Sequence, residues 1–149
     1  MMHYFTFSIG RDGFMKKILA GIFILIYQLA GIQSAYAFLQ PVPGYVGDGS
    51  LYVETDSILR NGNSATLIFV ENFNQTQAYG SKAYVSKATE IRIDCSDKRV
   101  FALGEGFYSQ PSMQGVLLGR FPLRDEFGST PAEGSWNFSL IKIGCGFAL

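Results

Sequence analysis

Val85-Ser86-Lys87-Ala88-Thr89-Glu90-Ile91-Arg92-Ile93-Asp94-Cys95 is the stretch on which the fold turns. In an extended chain Val85, Lys87, Thr89, Ile91, Ile93 and Cys95 fall on one side, and Ser86, Ala88, Glu90, Arg92 and Asp94 fall on the other. Alternation sustained over that length predicts a long strand with one wet face, which belongs in an antiparallel sheet. Cys95 shares the face of Ile91 and Ile93, so a bridge from it crosses the core side.

Working outward, Ser96-Asp97-Lys98 reads as a turn, and Arg99 to Leu103 returns as the next strand. Upstream, Leu51 to Ile58 and the β-branched and aromatic run Ala65 to Val70 flank Asn61-Gly62-Asn63, a strong turn signal; together they predict a β-hairpin. Asn72 to Gly80 is polar and reads as a loop. Phe38 to Ser50, with Pro41, Pro43, Gly44, Gly47 and Gly49, reads as an irregular lead-in. Ser109-Gln110-Pro111-Ser112 breaks the chain before a short strand at Gly115 to Phe121, and Leu123 to Gly134 is polar and irregular. Ser135 to Cys145 alternates partly like a strand. The Pro131 and Gly134-Ser135 lead, with Trp136 and Leu140 four apart, favours one helix there.

The N-terminal part has a different character. Met15-Lys16-Lys17 precedes the apolar run Ile18 to Tyr27, and Ala35-Tyr36-Ala37 follows. A positive segment, a short apolar segment and an A-x-A site in that order describe a secretory signal peptide over residues 1–37, cleaved after Ala37. An uncleaved anchor needs about 20 uninterrupted apolar residues, and Gln28 and Gln33 interrupt this run. Met1 to Phe14 looks unlike a signal, so Met15 is the expected translation start. No cysteine follows the cleavage site, so no lipoprotein anchor is expected. The exported part, residues 38–149, is expected to form a single domain with nine basic and eleven acidic side chains. It is expected in the periplasm, or secreted to the cell surface, with no membrane span once the signal is removed.

Cys95 and Cys145 are the only cysteines. An even count in an oxidising compartment reads as one structural disulfide. Neither a C-x-x-C redox motif nor a histidine that would activate a thiol accompanies them.

Composition excludes several classes. Hydrophobic residues make up 48% of the chain and aromatics 15%, too apolar for a disordered segment. The formal net charge is zero, without the basic field of a nucleic-acid binder. The single histidine, His3, lies in the leader. The exported part therefore has no His general base, Ser-His dyad or His-ligated zinc. No catalytic residue is assigned, and no cofactor or metal is expected.

Several apparent motifs read as bland. Ser139-Leu140-Ile141-Lys142 with Ser96-Asp97-Lys98 imitates an acyl-enzyme signature but lacks the K-T-G strand and the larger fold. Asp125-Glu126 reads as a solvated turn rather than a pair flanking a cleft. Gly104-Glu105-Gly106 reads as a bulge or tight bend, since no third glycine follows. The sequons at Asn74 and Asn137 read as idle in a bacterial export context. Tyr45, Tyr79, Tyr84, Phe107 and Tyr108 have two readings: core or edge packing, or a recognition surface, since tyrosine gives large contact area at low entropic cost. An exposed strand edge that adds an extended peptide is a further route to binding.

Tyr52-Val53-Glu54-Thr55-Asp56-Ser57-Ile58, the turn glycine Gly62 and the strand Leu67 to Val70 resemble the opening of the bacterial surface-adhesin protein E-like family. The resemblance continues through Ser81-Lys82, Glu90-Ile91-Arg92-Ile93-Asp94-Cys95, Tyr108 and Gly115-Val116, and closes with Pro131, Gly134-Ser135 and Cys145. It implies a small, mainly antiparallel α+β domain with one short helix, tied by a Cys95–Cys145 disulfide. It also implies a non-enzymatic role with a protein as partner, host-matrix proteins among them. The family pattern has a tryptophan where this chain has Phe127, and its namesake is lipid-anchored where this chain offers no acylated cysteine. The other readings are a periplasmic inhibitor or accessory of an exported protein, and a histidine-free hydrolase using Asp94, Asp125 or Glu126. A homodimer stays open at this level.

Overall fold

The computed structural model describes residues 38–148; the expected signal segment lies outside the described residues. Six strands follow one another in chain order: β1 (Leu39–Pro41), β2 (Gly49–Asn61), β3 (Ser64–Tyr79), β4 (Lys82–Asp94), β5 (Arg99–Tyr108) and β6 (Leu117–Pro122). They form one antiparallel meander in the order β1-β2-β3-β4-β5-β6. One helix, α1 (Trp136–Cys145), follows. Among the described residues the expected architecture is the one observed, an α+β fold with one short helix.

The alternation around Ile91 sets the layers. Opposite Ile91 and Ile93 on β4 stand Leu67 and Ala65 on β3. These join Leu51 and Val53 of β2, Phe69 of β3 and Leu140, Ile141 and Ile143 of α1 in the buried core. Leu140 and Ile141 are fully buried, so α1 lies on the odd-numbered face of the central strands. Gly144 lets it lie close, because a Cβ there would stand 2.6 Å from Ile93 Cδ1 and 3.0 Å from Leu67 Cδ2.

Both ends of α1 are fixed by hydrogen bonds. Ser135 is the N-cap, its Oγ accepting from Phe138 N. Gly146, in the left-handed region at φ 77°, ends the helix. Arg60 Nε donates to Gly144 O at 2.7 Å and Nη2 to Ile143 O at 3.0 Å. The guanidinium thus satisfies carbonyls that no helical N–H can reach and opposes the negative end of the helix dipole. The expected bridge is present: Cys95, just after β4, is bonded to Cys145, the last helical residue, with Cα atoms 5.8 Å apart.

Three expectations need correction. The polar segment expected to be a loop from Asn72 to Gly80 is strand as far as Tyr79. Its register with β4 shifts between Asn72 and Gln77, so Phe73 to Thr76 form a bulge opposite Val85. The lead-in contains a short strand, β1, paired with Pro41 opposite Tyr52. The wet face expected on β4 is wet at only one end. Arg92 is exposed, whereas Ser86 is fully buried and Ala88 nearly so.

Candidate functional site

The two faces of the sheet differ in cover. On the helix-bearing face, at the N-terminal end of α1, Tyr45 and Phe69 meet the Trp136 ring edge to face. Next to them Lys87 lies between Glu71 at 3.3 Å and Glu105 at 3.6 Å. The Tyr45 hydroxyl donates to Glu71 and fastens the lead-in to the sheet. Burial, this bond and the Glu71 and Asp48 charges together hold the Tyr45 phenol well above its ordinary pKa.

The five aromatics singled out in the sequence go to three places. Tyr45 belongs to the Trp136 cluster. Tyr79, Tyr84 and Phe107 come together with Phe73 and Phe121 where the β3–β4 hairpin reaches across β5. Tyr79 stacks on Phe107 with centroids 5.1 Å apart, and Tyr84 meets Phe107 edge-on at 4.8 Å. Phe107 is buried, and the ring contacts pack the cluster around it, whereas Tyr79, 39% exposed, is left at the surface. Tyr108 lies apart from both, on the opposite face.

On that opposite, outer face the structure forms a cleft of about 100 Å³ lined by Ile68, Ala88, Glu90, Gly104, Gly106, Tyr108, Met113 and Arg120. Its floor is made of small residues from neighbouring strands: Ala88 pairs with Gly106, and Gly106 with Arg120. Gly104 follows Leu103, the extra residue of a β5 bulge between the Glu90–Gly104 and Ile91–Ala102 pairs. The bulge thus lies one residue before the expected Gly104-Glu105-Gly106, which itself pairs in regular register with Glu90, Thr89 and Ala88, and two glycines inside one strand leave the concavity beside it open. The mouth carries an ion pair, Arg120 Nη2 to Glu90 Oε2 at 3.2 Å. Glu105 borders the cleft with its backbone side only, because its carboxylate turns to Lys87 on the other face.

One wall is a loop under conformational strain. Ser112 and Met113 have φ of 58° and 61°, two consecutive non-glycine residues in the left-handed region. Ser112 N donates to Asn72 Oδ1 at 2.7 Å and Met113 N to Ser86 Oγ at 3.3 Å, while Ser86 Oγ donates to Gln110 O at 2.7 Å. These bonds explain why Ser86 is buried on a face expected to be wet, and they hold Met113 over the cleft. Strain of this kind, of order 1–3 kcal/mol per residue, concentrates at ligand-binding loops. Sequence reasoning missed Glu90, Met113 and Arg120. The glycines at 104 and 106 inside a strand were the signal that pointed to them.

The acids considered for hydrolysis do not converge in the cleft. Asp94 Oδ1 accepts from Ser96 N and Asp97 N, and Asp125 Oδ1 from Gly128 N at 2.8 Å. Both are spent on their own turns, and Glu126 is exposed. Ser139 Oγ donates to Pro43 O at 3.1 Å, a structural tie. Among the described residues no cluster of three His, Cys, Asp or Glu has metal-binding geometry, and no helix is long and apolar enough to cross a membrane.

Meander, roofing helix and single bridge define the class: a small disulfide-bonded α+β domain with its helix on one face of the sheet and the 110–113 loop over part of the other. The family model for surface-adhesin protein E matches residues 40–146, and the chain belongs to that family. Protein E of Haemophilus influenzae shares the fold, with a TM-score of 0.59 at 13% identity, over 76% of this chain and 87% of that one. A second crystal form of that protein gives 0.55 at 15% identity, over 74% and 97% of the two chains. The protein E structure from non-typeable H. influenzae gives 0.55 at 14% identity, over 78% and 84%. No curated protein sequence matches the chain.

Proposed function

We propose that the protein is an exported, non-enzymatic binding domain that recognises a protein partner through the outer face of its sheet. Membership of a surface-adhesin family supports a binding role at or beyond the cell envelope. The observation that carries the choice of surface is the cleft, whose Met113 wall is held in a strained conformation and whose floor is kept open by glycines. Stability alone would favour filling that space and relaxing that loop.

Strand edges serve binding less well in this chain. Lys82 Nζ caps the carbonyl of Leu118 on the β6 edge at 2.8 Å, and β1 is only three residues long and ends on Pro41. Both are features that discourage strand addition.

The test is capture by the immobilised protein from bacterial envelope extract and, separately, from host matrix extract. Gly106 has no positive φ, and a Cβ there meets Tyr108 and Leu117 at 3.3 to 3.4 Å, so Gly106→Leu places its branch in the cleft. Capture should fall at least tenfold in that variant while Tyr79→Ala retains it. Equal capture by a folded Gly106→Leu protein would refute the outer face as the binding surface. The extract that yields the partner separates an adhesin from an envelope accessory.

A further inference from the structure

We infer that the outer-face cleft receives a single arginine side chain of the partner protein, with the Glu90 carboxylate as its anchor; this deepens the reading of the cleft as the binding surface and rests on it. The cleft has the sections an arginine needs. Ile68, Ala88 and Met113 line it with aliphatic surface suited to a methylene stem, and Gly104 and Gly106 give depth. Tyr108 supplies a ring on which a guanidinium can lie. At the mouth stands one carboxylate, Glu90, on the central strand β4.

The chain's own Arg120 already shows the chemistry. Its guanidinium reaches Glu90 across β5 from the edge strand, through one nitrogen and one oxygen at 3.2 Å. The Arg120 side chain is 70% exposed and that of Glu90 is 40% exposed. An exposed single-contact pair of this kind contributes little and is readily exchanged. An incoming guanidinium that enters over Met113 and Tyr108 meets the same carboxylate in a more enclosed position, where a two-pronged pair is stronger. Arg120 is thus a competitor for the partner's side chain. A carboxylate ligand would need Arg120 as its anchor, yet that guanidinium is the more exposed and less fixed member of the pair. The small acidic excess of residues 38–149, eleven acids to nine bases, favours a basic partner in the same sense.

The experiment is a titration of the 15N-labelled protein with the blocked tripeptides acetyl-Gly-Arg-Gly-amide and acetyl-Gly-Gln-Gly-amide, read by amide chemical shifts. The arginine peptide should move Glu90, Gly104, Gly106, Tyr108 and Met113, and the glutamine peptide should not. Glu90→Gln should weaken the arginine response at least tenfold, with the amide shifts of α1 unchanged as the check on folding. Arg120→Ala should strengthen it about threefold, an effect that loss of structure would not produce. Equal shifts with both peptides, or a weaker response in Arg120→Ala, would overturn the assignment. If the arginine peptide fails while Gly106→Leu still abolishes capture of the protein partner, the arginine assignment falls and the cleft reading stands. If both peptide binding and cleft-dependent capture fail, both fall.

Discussion

Thr89 sits on the core-facing side of β4, opposite Phe69 on β3 and Glu105 on β5. It is 5% exposed, and its hydroxyl is buried with no hydrogen-bond partner among the described residues. A buried hydroxyl without a partner costs about 1–3 kcal/mol of desolvation, and β-branching, which suits the strand, is retained in valine. Thr89→Val should therefore raise the melting temperature, by roughly 4–8 °C for each kcal/mol recovered in a domain of this size. A drop in melting temperature would mean that the hydroxyl has a partner, and that the space beside Phe69 is polar. Ser86, three residues earlier on the opposite face, is the contrasting case. It is fully buried as well, but it donates to Gln110 and accepts from Met113. Its replacement by alanine would release the strained loop, whereas the Thr89 change releases nothing.

At the level of elements, β4, the β2–β3 hairpin around Asn61-Gly62-Asn63, and α1 were legible because each carried a local signal: period two, a turn triplet, a cap with a four-residue apolar spacing. The far half of β3 was not legible, because Phe73 to Thr76 form a bulge and the residues beyond it extend past the helix-covered core, where no apolar stripe marks a strand. The cleft was illegible for another reason. Ala88, Gly106 and Arg120 become neighbours only through register across three strands, and no local pattern encodes register between strands. The cysteines were legible as a pair, and their role is now specific: the bridge ties the last residue of α1 to the end of β4, beside the Arg60 contacts with the same helix end. Closing a 50-residue separation removes denatured-state entropy worth about 4 kcal/mol in the chain-entropy model, an upper value. The double variant Cys95→Ser, Cys145→Ser should lose roughly 2–4 kcal/mol in denaturant unfolding while Arg60 still holds the carbonyls of Ile143 and Gly144. An unchanged unfolding midpoint would show that the capping contacts and core fix the helix without the covalent tie.

The whole molecule poses the problem that a meander has two ends. Each end exposes unpaired backbone groups that invite a second copy to continue the sheet. Here each is blunted in its own way. On the β6 side, Leu123 N donates inward to Leu103 O at 2.8 Å, so the alternation turns position 122 outward, where Pro122 has no N–H to offer. Lys82 occupies the Leu118 carbonyl on the same strand. On the β2 side, the short β1 covers Tyr52 to Glu54. Beyond it the register with β3 jumps between Glu54 and Leu59, where Ser57 Oγ accepts from Ile68 N at 2.8 Å in place of a backbone carbonyl. These devices predict a monomer, with the outer-face cleft rather than an edge left for partners. Light scattering should give the mass of one chain at micromolar concentration. Lys82→Ala combined with Pro122→Val restores a carbonyl and an N–H to the β6 edge and should shift the protein toward dimers as concentration rises. A wild-type dimer that the β6 changes leave intact would show that association proceeds through another surface. A double variant that stays monomeric at millimolar concentration would show that β6, at six residues, is too short to template a strand even when opened.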